Sequence, residues 1–230
     1  MQVGMVGRNC VVLASDTRWT REPAKPQSKD VGRAVRYGTN GIKIKVTDAK
    51  DIAVSFAADM KSAGFLAEEI IAKLTGENPP DPIIAVQEIF DANRSLRWHH
   101  VQGFIVLTQP GVQLFRFEIA KHKGGWYPSC EPVMGYDVAG DITNSALFWA
   151  ERYHDEYLPL EQLIPLAAHL VSSSHFLDTA GIGGLQMVEC DAAGVRLLEP
   201  ERIAELKDKT KVWDRRIGEI VRGMAHGATL

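Results

Sequence analysis

The sequence predicts an α+β fold, a four-layer αββα sandwich with mainly antiparallel sheets, in one domain spanning residues 1–230. Three observations carry that expectation. Strand-type segments follow one another across short turns, helical segments come in pairs, and several strands are apolar along nearly their whole length. Consecutive strands with no helix between them pair antiparallel, and strands that are apolar on both faces need cover on both sides. No internal repeat and no second-domain boundary interrupts this order.

Val3 to Val6 reads as a strand, Gly7-Arg8-Asn9 as a turn, and Cys10 to Ser15 as a buried strand ending at Asp16. The polar stretch from Thr17 to Asn40 holds Pro23 and Pro26, with six basic residues against Glu22 and Asp30. It reads as a long loop or a poorly formed strand pair, functional or simply solvated. Ile42 to Thr47 alternates as a strand, and Ile52 to Ala57 returns as an almost wholly apolar one. The strands at 3–6, 10–15, 42–47 and 52–57 are expected side by side in one sheet.

From Asp59 the period becomes helical, with Ala63, Leu66, Ile70 and Leu74 on one face and Gly76 at the C-cap position. Asp81-Pro82 caps a second helix expected to run to about Arg97. Val101 to Thr108 and Val112 to Ala120 form a hairpin about Gln109-Pro110-Gly111, and Tyr127 to Tyr136 continues as irregular strand. Two helices follow, one carrying Ala146, Leu147, Trp149, Ala150 and Tyr153, the other Leu163, Leu166, Ala167 and Leu170, with Pro165 fitting only a first turn. A hairpin over Leu185 to Cys190 and Val195 to Leu198, then a charged helix from Glu199 to Met224, completes the chain.

Of the 230 residues, 45% are hydrophobic and 24% charged, the balance of a globular domain with ample core. A net charge of −3 gives no reason to expect nucleic acid or an anionic membrane as partner, and no apolar run reaches a membrane span. The first residues lack the regions of a signal peptide, so a cytoplasmic location is expected. Cys10, Cys130 and Cys190 are odd in number and far apart, which suggests reduced, mostly buried thiols. No CxxC, HExxH or GxGxxG occurs, so no metal or cofactor is expected; His99-His100 reads as a helix end. His175 and Asp178 are three apart without a serine or cysteine placed to complete a triad.

Three segments together resemble a known family. Val3-Gly4, a turn, Val11-Val12-Leu13-Ala14 and Ser15-Asp16 are similar to the opening of proteasome β-subunits, members of the N-terminal-nucleophile hydrolase superfamily. Gly41-Ile42-Lys43-Ile44 resembles the segment whose lysine stands beside the family's nucleophile, and the segment from Ser172 to Gly184 resembles its Asp-x-x-Ser-Gly-Gly region. The resemblance implies that family's fold, a threonine-type peptidase or amidohydrolase activity on peptide or other amide bonds, and a homo-oligomer, expected as a ring.

By position it implies catalytic roles for Asp16, Lys43 and Asp178. Ser55 falls where a glycine amide helps form the oxyanion hole, Asp141 in the family's Gly-Ser loop, and Ile182 in place of its serine. The nucleophile falls at Met1 or immediately before it. Neither Met1 nor Gln2 has a hydroxyl or thiol, and Cys10, the first residue that does, lies inside an apolar strand where a thiol is usually a small hydrophobe. Read from residue chemistry, Asp16 and Lys43 could form a buried pair in which the ammonium stabilises a developing alkoxide and the carboxylate holds the lysine. Lys43 could equally be the polar face of an edge strand, since Lys45 repeats the alternation. Three readings follow: an amide-bond hydrolase, a catalytically inactive ring-forming scaffold of the same fold, and a module binding an anionic ligand through the basic loop.

Overall fold

The computed structural model describes residues 1–17, 19–21, 36–38, 41–58, 60–96, 98–140, 144–174 and 184–225. They form a mixed α/β fold of two five-stranded antiparallel sheets, one short strand pair and five helices. In chain order the first strands are β1 (Gln2–Gly7), β2 (Cys10–Asp16), β3 (Trp19–Arg21), β4 (Arg36–Gly38), β5 (Ile44–Val46) and β6 (Ile52–Ala58). Helices α1 (Met60–Leu74) and α2 (Pro82–Ala92) follow, then β7 (Val101–Leu107), β8 (Gln113–His122), β9 (Gly125–Pro132) and β10 (Tyr136–Ala139). Helices α3 (Asn144–Tyr153) and α4 (Leu160–Ser174), strands β11 (Leu185–Asp191) and β12 (Gly194–Leu197), and α5 (Pro200–Ala225) complete the chain.

One sheet runs β10-β1-β2-β11-β12 and the other β5-β6-β7-β8-β9. The first two hairpins therefore lie in different sheets, which corrects the expectation that strands 3–6, 10–15, 42–47 and 52–57 share one. The reason is competition for edges. β1 pairs with β10, and β2 pairs with β11 from Leu185↔Asp16 to Cys190↔Val11, so neither has an edge left for β5 or β6. Apolar continuity signals burial on both faces, but it does not say which strand is the neighbour.

Three cores explain that continuity. Val11 and Leu13 of β2 meet Ala53, Phe104, Val106 and Leu114 of the other sheet, while Cys10, Val12 and Ala14 on the opposite face meet α4 through Leu163, Ala167 and Leu170. On the far side of the second sheet, Val54, Phe56, Val101 and Ile105 meet Leu66 and Ile70 of α1 and Val86 and Ile89 of α2. Each helix contributes the residues three and four apart that one buried stripe requires.

Local details depart from the sequence expectation in three places. Helix α2 ends at Ala92 instead of near Arg97, because Asn93 turns back: its N–H donates to the Phe90 carbonyl at 3.1 Å and its Nδ2 to that of Ile89 at 2.9 Å. His99 and His100 are consequently not at a helix end. Helix α4 begins at Leu160, which puts Pro165 beyond the first turn, where it forgoes one internal hydrogen bond. The stretch expected to be irregular is the regular strand β9, paired with β8 from Phe115↔Pro132 to His122↔Gly125. No described helix is long and apolar enough to cross a membrane.

Phe104 is fully buried between the sheets. Phe104→Ala should lower the unfolding free energy by about 3–5 kcal/mol, whereas Met134→Ala, at a side chain 82% exposed, should leave it within about 0.5 kcal/mol. Urea denaturation of the two variants checks both outcomes.

Candidate active site

Where β1 and β2 open their hairpin toward the second sheet, a carboxylate is held between two cations. Asp16 ends β2, and the pairing Gln2↔Ser15 brings its backbone against the first residue: Asp16 N–H donates to the Met1 carbonyl at 3.1 Å. The Met1 amine donates to Asp16 Oδ2, and Lys43 Nζ donates to Asp16 Oδ1 at 2.9 Å. Asp16 is 3% exposed and Lys43 6%, so the pair is buried and Lys43 is not the polar face of an edge strand. Burial pushes the Asp16 carboxyl up; the N-terminal ammonium and then Lys43 pull it down more strongly and hold it below its ordinary value.

Side chains that the sequence reading passed over build the walls. Lys43 lies just before β5, where its backbone has neighbours on both sides: the Phe56 N–H donates to its carbonyl at 3.0 Å, and its own N–H donates to Gln186 Oε1 of β11 at 2.9 Å. The same oxygen accepts from Ile44 N at 3.1 Å, and Gln186 Nε2 returns a bond to the Ile44 carbonyl at 3.1 Å. Gln2, wholly buried, donates to the Phe56 carbonyl at 2.6 Å and accepts from Ser55 Oγ at 3.0 Å. Gln102 Oε1 accepts from the Gly140 N–H at 3.0 Å and from Arg116 at 3.2 Å. Their signal in the sequence was a lone amide inside an otherwise apolar strand, as at Gln2 and Gln186.

Gly140 covers the amine from the other side. Its φ of +100° suits glycine, and a Cβ there would lie 3.3 Å from Met1 Cα. Ser55 is committed to structure: besides its bond to Gln2, its hydroxyl accepts from Phe104 N at 3.1 Å. Cys10 is buried, its thiol pushed up chiefly by burial, so it is a small hydrophobe and not an activated nucleophile. Asp178, Asp141, His175 and Ile182 lie outside the described residues, as does most of the basic stretch 17–40. Asp16 and Lys43 are thus brought together, and the structure does not speak of Asp178.

The arrangement is an amine, a carboxylate and a lysine ammonium packed together where two sheets meet. Such a cluster can orient an amine, accept or release one proton there, and present a positive charge to developing negative charge. Among the described residues no cluster of histidine, cysteine or carboxylate side chains has the geometry to hold a metal.

No protein-family model matches the sequence, and no curated protein matches it. Solved structures do match in fold. Anbu (ancestral beta-subunit) from Yersinia bercovieri superimposes with a TM-score of 0.66 over 96% of this chain and 96% of its own, at 11% sequence identity. At that identity the likeness is one of fold. The identification from sequence as a proteasome β-subunit-like member of the N-terminal-nucleophile superfamily is corrected accordingly: what stands is resemblance of fold to Anbu (ancestral beta-subunit).

Lys43→Met leaves Asp16 buried with one partner fewer and should cost about 3–5 kcal/mol of stability at neutral pH. Because the folded Asp16 carboxyl lies below its ordinary 3.8, its stabilisation is present above that pH and is lost as pH falls through the lower folded value. Asp16→Asn should therefore be destabilised at neutral pH and lose less of its remaining stability than the parent as pH falls below about 4. Urea titrations across that range read the difference.

Proposed function

We propose that the chain is an amide-bond hydrolase whose chemistry takes place at the amine beside Asp16. The observation that carries this reading is the buried carboxylate shared by Lys43 and the Met1 amine. Among the described residues the amine shares its carboxylate with a second ammonium, that of Lys43, and a like charge on the same partner favours the neutral form of the amine. A neutral amine is the base that an adjacent hydroxyl or thiol on the same residue needs. That group would lose its proton to the amine as its oxygen or sulfur attacks an amide carbonyl. The amine would hand the proton to the departing nitrogen as the C–N bond breaks, and water would cleave the resulting ester or thioester.

Lys43 would stabilise the nucleophile's developing negative charge, Asp16 would hold Lys43, and Asp178 is proposed, from the sequence resemblance alone, to approach the amine. The thioether of Met1 has no proton to give, so the reaction requires threonine, serine or cysteine at the residue whose amine meets Asp16. A second reading, an inactive scaffold of the same fold, is favoured by that thioether and by the engagement of Ser55 in the packing.

The four-layer αββα arrangement proposed for the domain is supported by its three separate cores and by the likeness to Anbu. Assembly as a homo-oligomeric ring is supported by the exposed Phe148 on α3 and by that same likeness. A cytoplasmic location is supported by the three free cysteines.

A chain carrying threonine at position 1 with a freed amine should hydrolyse a fluorogenic peptide amide, and adding Lys43→Ala should remove that activity by at least about a thousandfold. The Met1 chain should be silent. Activity in the Met1 chain that Lys43→Ala removes would overturn the need for a hydroxyl or thiol, and silence of every variant would favour the scaffold. Mass spectrometry of the N-terminus of protein made from its native gene identifies the residue in use. Light scattering should return a mass well above 25.4 kDa at micromolar concentration, and a monomer would overturn the ring.

A further inference from the structure

Helices α3, α4 and α5 line a recess of about 390 Å³ that shares no lining residue with the Asp16 centre and is of a size that suits a small ligand. Its most ordered wall is aromatic: Trp149 and Tyr153 stack with ring centroids 5.5 Å apart and planes 14° from parallel. His169 stands edge-on between Trp149 at 5.8 Å and Trp213 at 5.6 Å, and Leu166 and Ile217 supply aliphatic surface. Trp213 is 40% exposed and forms part of the mouth.

Two features mark the recess as more than a packing gap. His169 is 5% exposed, and neither its Nδ1 nor Asp214 Oδ2 has a hydrogen-bond partner among the described residues; Nδ1 stands 4.0 Å from Asp214 Oδ1, beyond hydrogen-bond reach. A buried ring nitrogen left unpaired costs free energy that a bound group can recover. The second is charge. Arg216 lines the recess with no carboxylate partner among the described residues. Burial depresses the His169 imidazole, with Asp214 opposing, and Arg216 is the cationic side chain of the lining.

We propose that this recess binds a planar aromatic carboxylate, its ring against Trp149, Tyr153 and Trp213 and its carboxylate on Arg216. Aromatic faces favour a flat ring, a guanidinium matches a carboxylate in shape and charge, and the Arg216 charge in the lining disfavours a cationic ligand.

Calorimetric titration of the full chain with 1-naphthoate tests this, with 1-naphthalenemethanol as the uncharged counterpart. Saturable one-to-one binding of naphthoate is expected, at least about tenfold tighter than the alcohol. Arg216→Gln should bring naphthoate down to the level of the alcohol, and Trp213→Ala should weaken both ligands. Both residues are exposed, and unchanged circular dichroism would show that the variants fold. Absence of saturable binding, or affinities untouched by either substitution, would overturn the site. Equal affinity for the two ligands would overturn the carboxylate. If Trp213→Ala instead abolishes self-association in a protein that takes up no naphthoate, the surface is an interface between copies and the proposal fails.

Discussion

A single carboxylate, that of Asp16, sets the terms for its surroundings. Taking a charge out of water costs several kcal/mol unless partners surround it, and here Lys43 and the Met1 amine do so from opposite oxygens. Each partner is itself buried and must be held. Lys43 cannot swing away, because its backbone is bonded on one side to Phe56 and on the other to Gln186. The amine cannot shift without breaking the Met1–Asp16 backbone bond or meeting Gly140. The charge cluster thus demands rigidity in three chain segments at once, and the packing between the sheets supplies it.

Three glutamines make that rigidity possible. Gln2 links β1 to β6, Gln186 links β11 to the segment entering β5, and Gln102 links β7 to the turn after β10. In every case one sheet provides the side chain and the other sheet, or the turn leaving it, the backbone group. Glutamine suits the task because it is long, uncharged, and both donor and acceptor, so it satisfies backbone groups across a gap without adding a further buried charge. A glutamate in any of these positions would bring a further negative charge toward Asp16.

Elements with a strong local signal were legible in the sequence. The capped start of α2, the apolar stripe of α1 and the β1–β2 and β7–β8 hairpins are where periodicity and turn chemistry put them. Strand neighbours across the sheets were not, because β2 joins β11 through a pairing in which Asp16 and Leu185 are remote in sequence. The same limit applied to the site. Asp16 and Lys43 stood out as charges in apolar strands, whereas Gln186 and Gly140 become meaningful only once the second sheet and the β10 turn are in place. The long C-terminal helix was plain from its charge pattern, but the aromatic recess it helps form depends on α3 and α4, whose rings meet it only in the fold.

The distances along the chain that these links span have a temporal meaning. Asp16 reaches Lys43 across 27 positions, Gln2 reaches Phe56 across 54, and Gln186 reaches Lys43 across 143. Contacts of such separation form late, after the loops between them have closed. During synthesis, a chain that has emerged only as far as α4 has its carboxylate and lysine but lacks the amide that anchors the lysine's backbone. The lysine's backbone therefore gains its anchor only when the final hairpin docks, and the geometry of the charge cluster is among the last features of the chain to be completed.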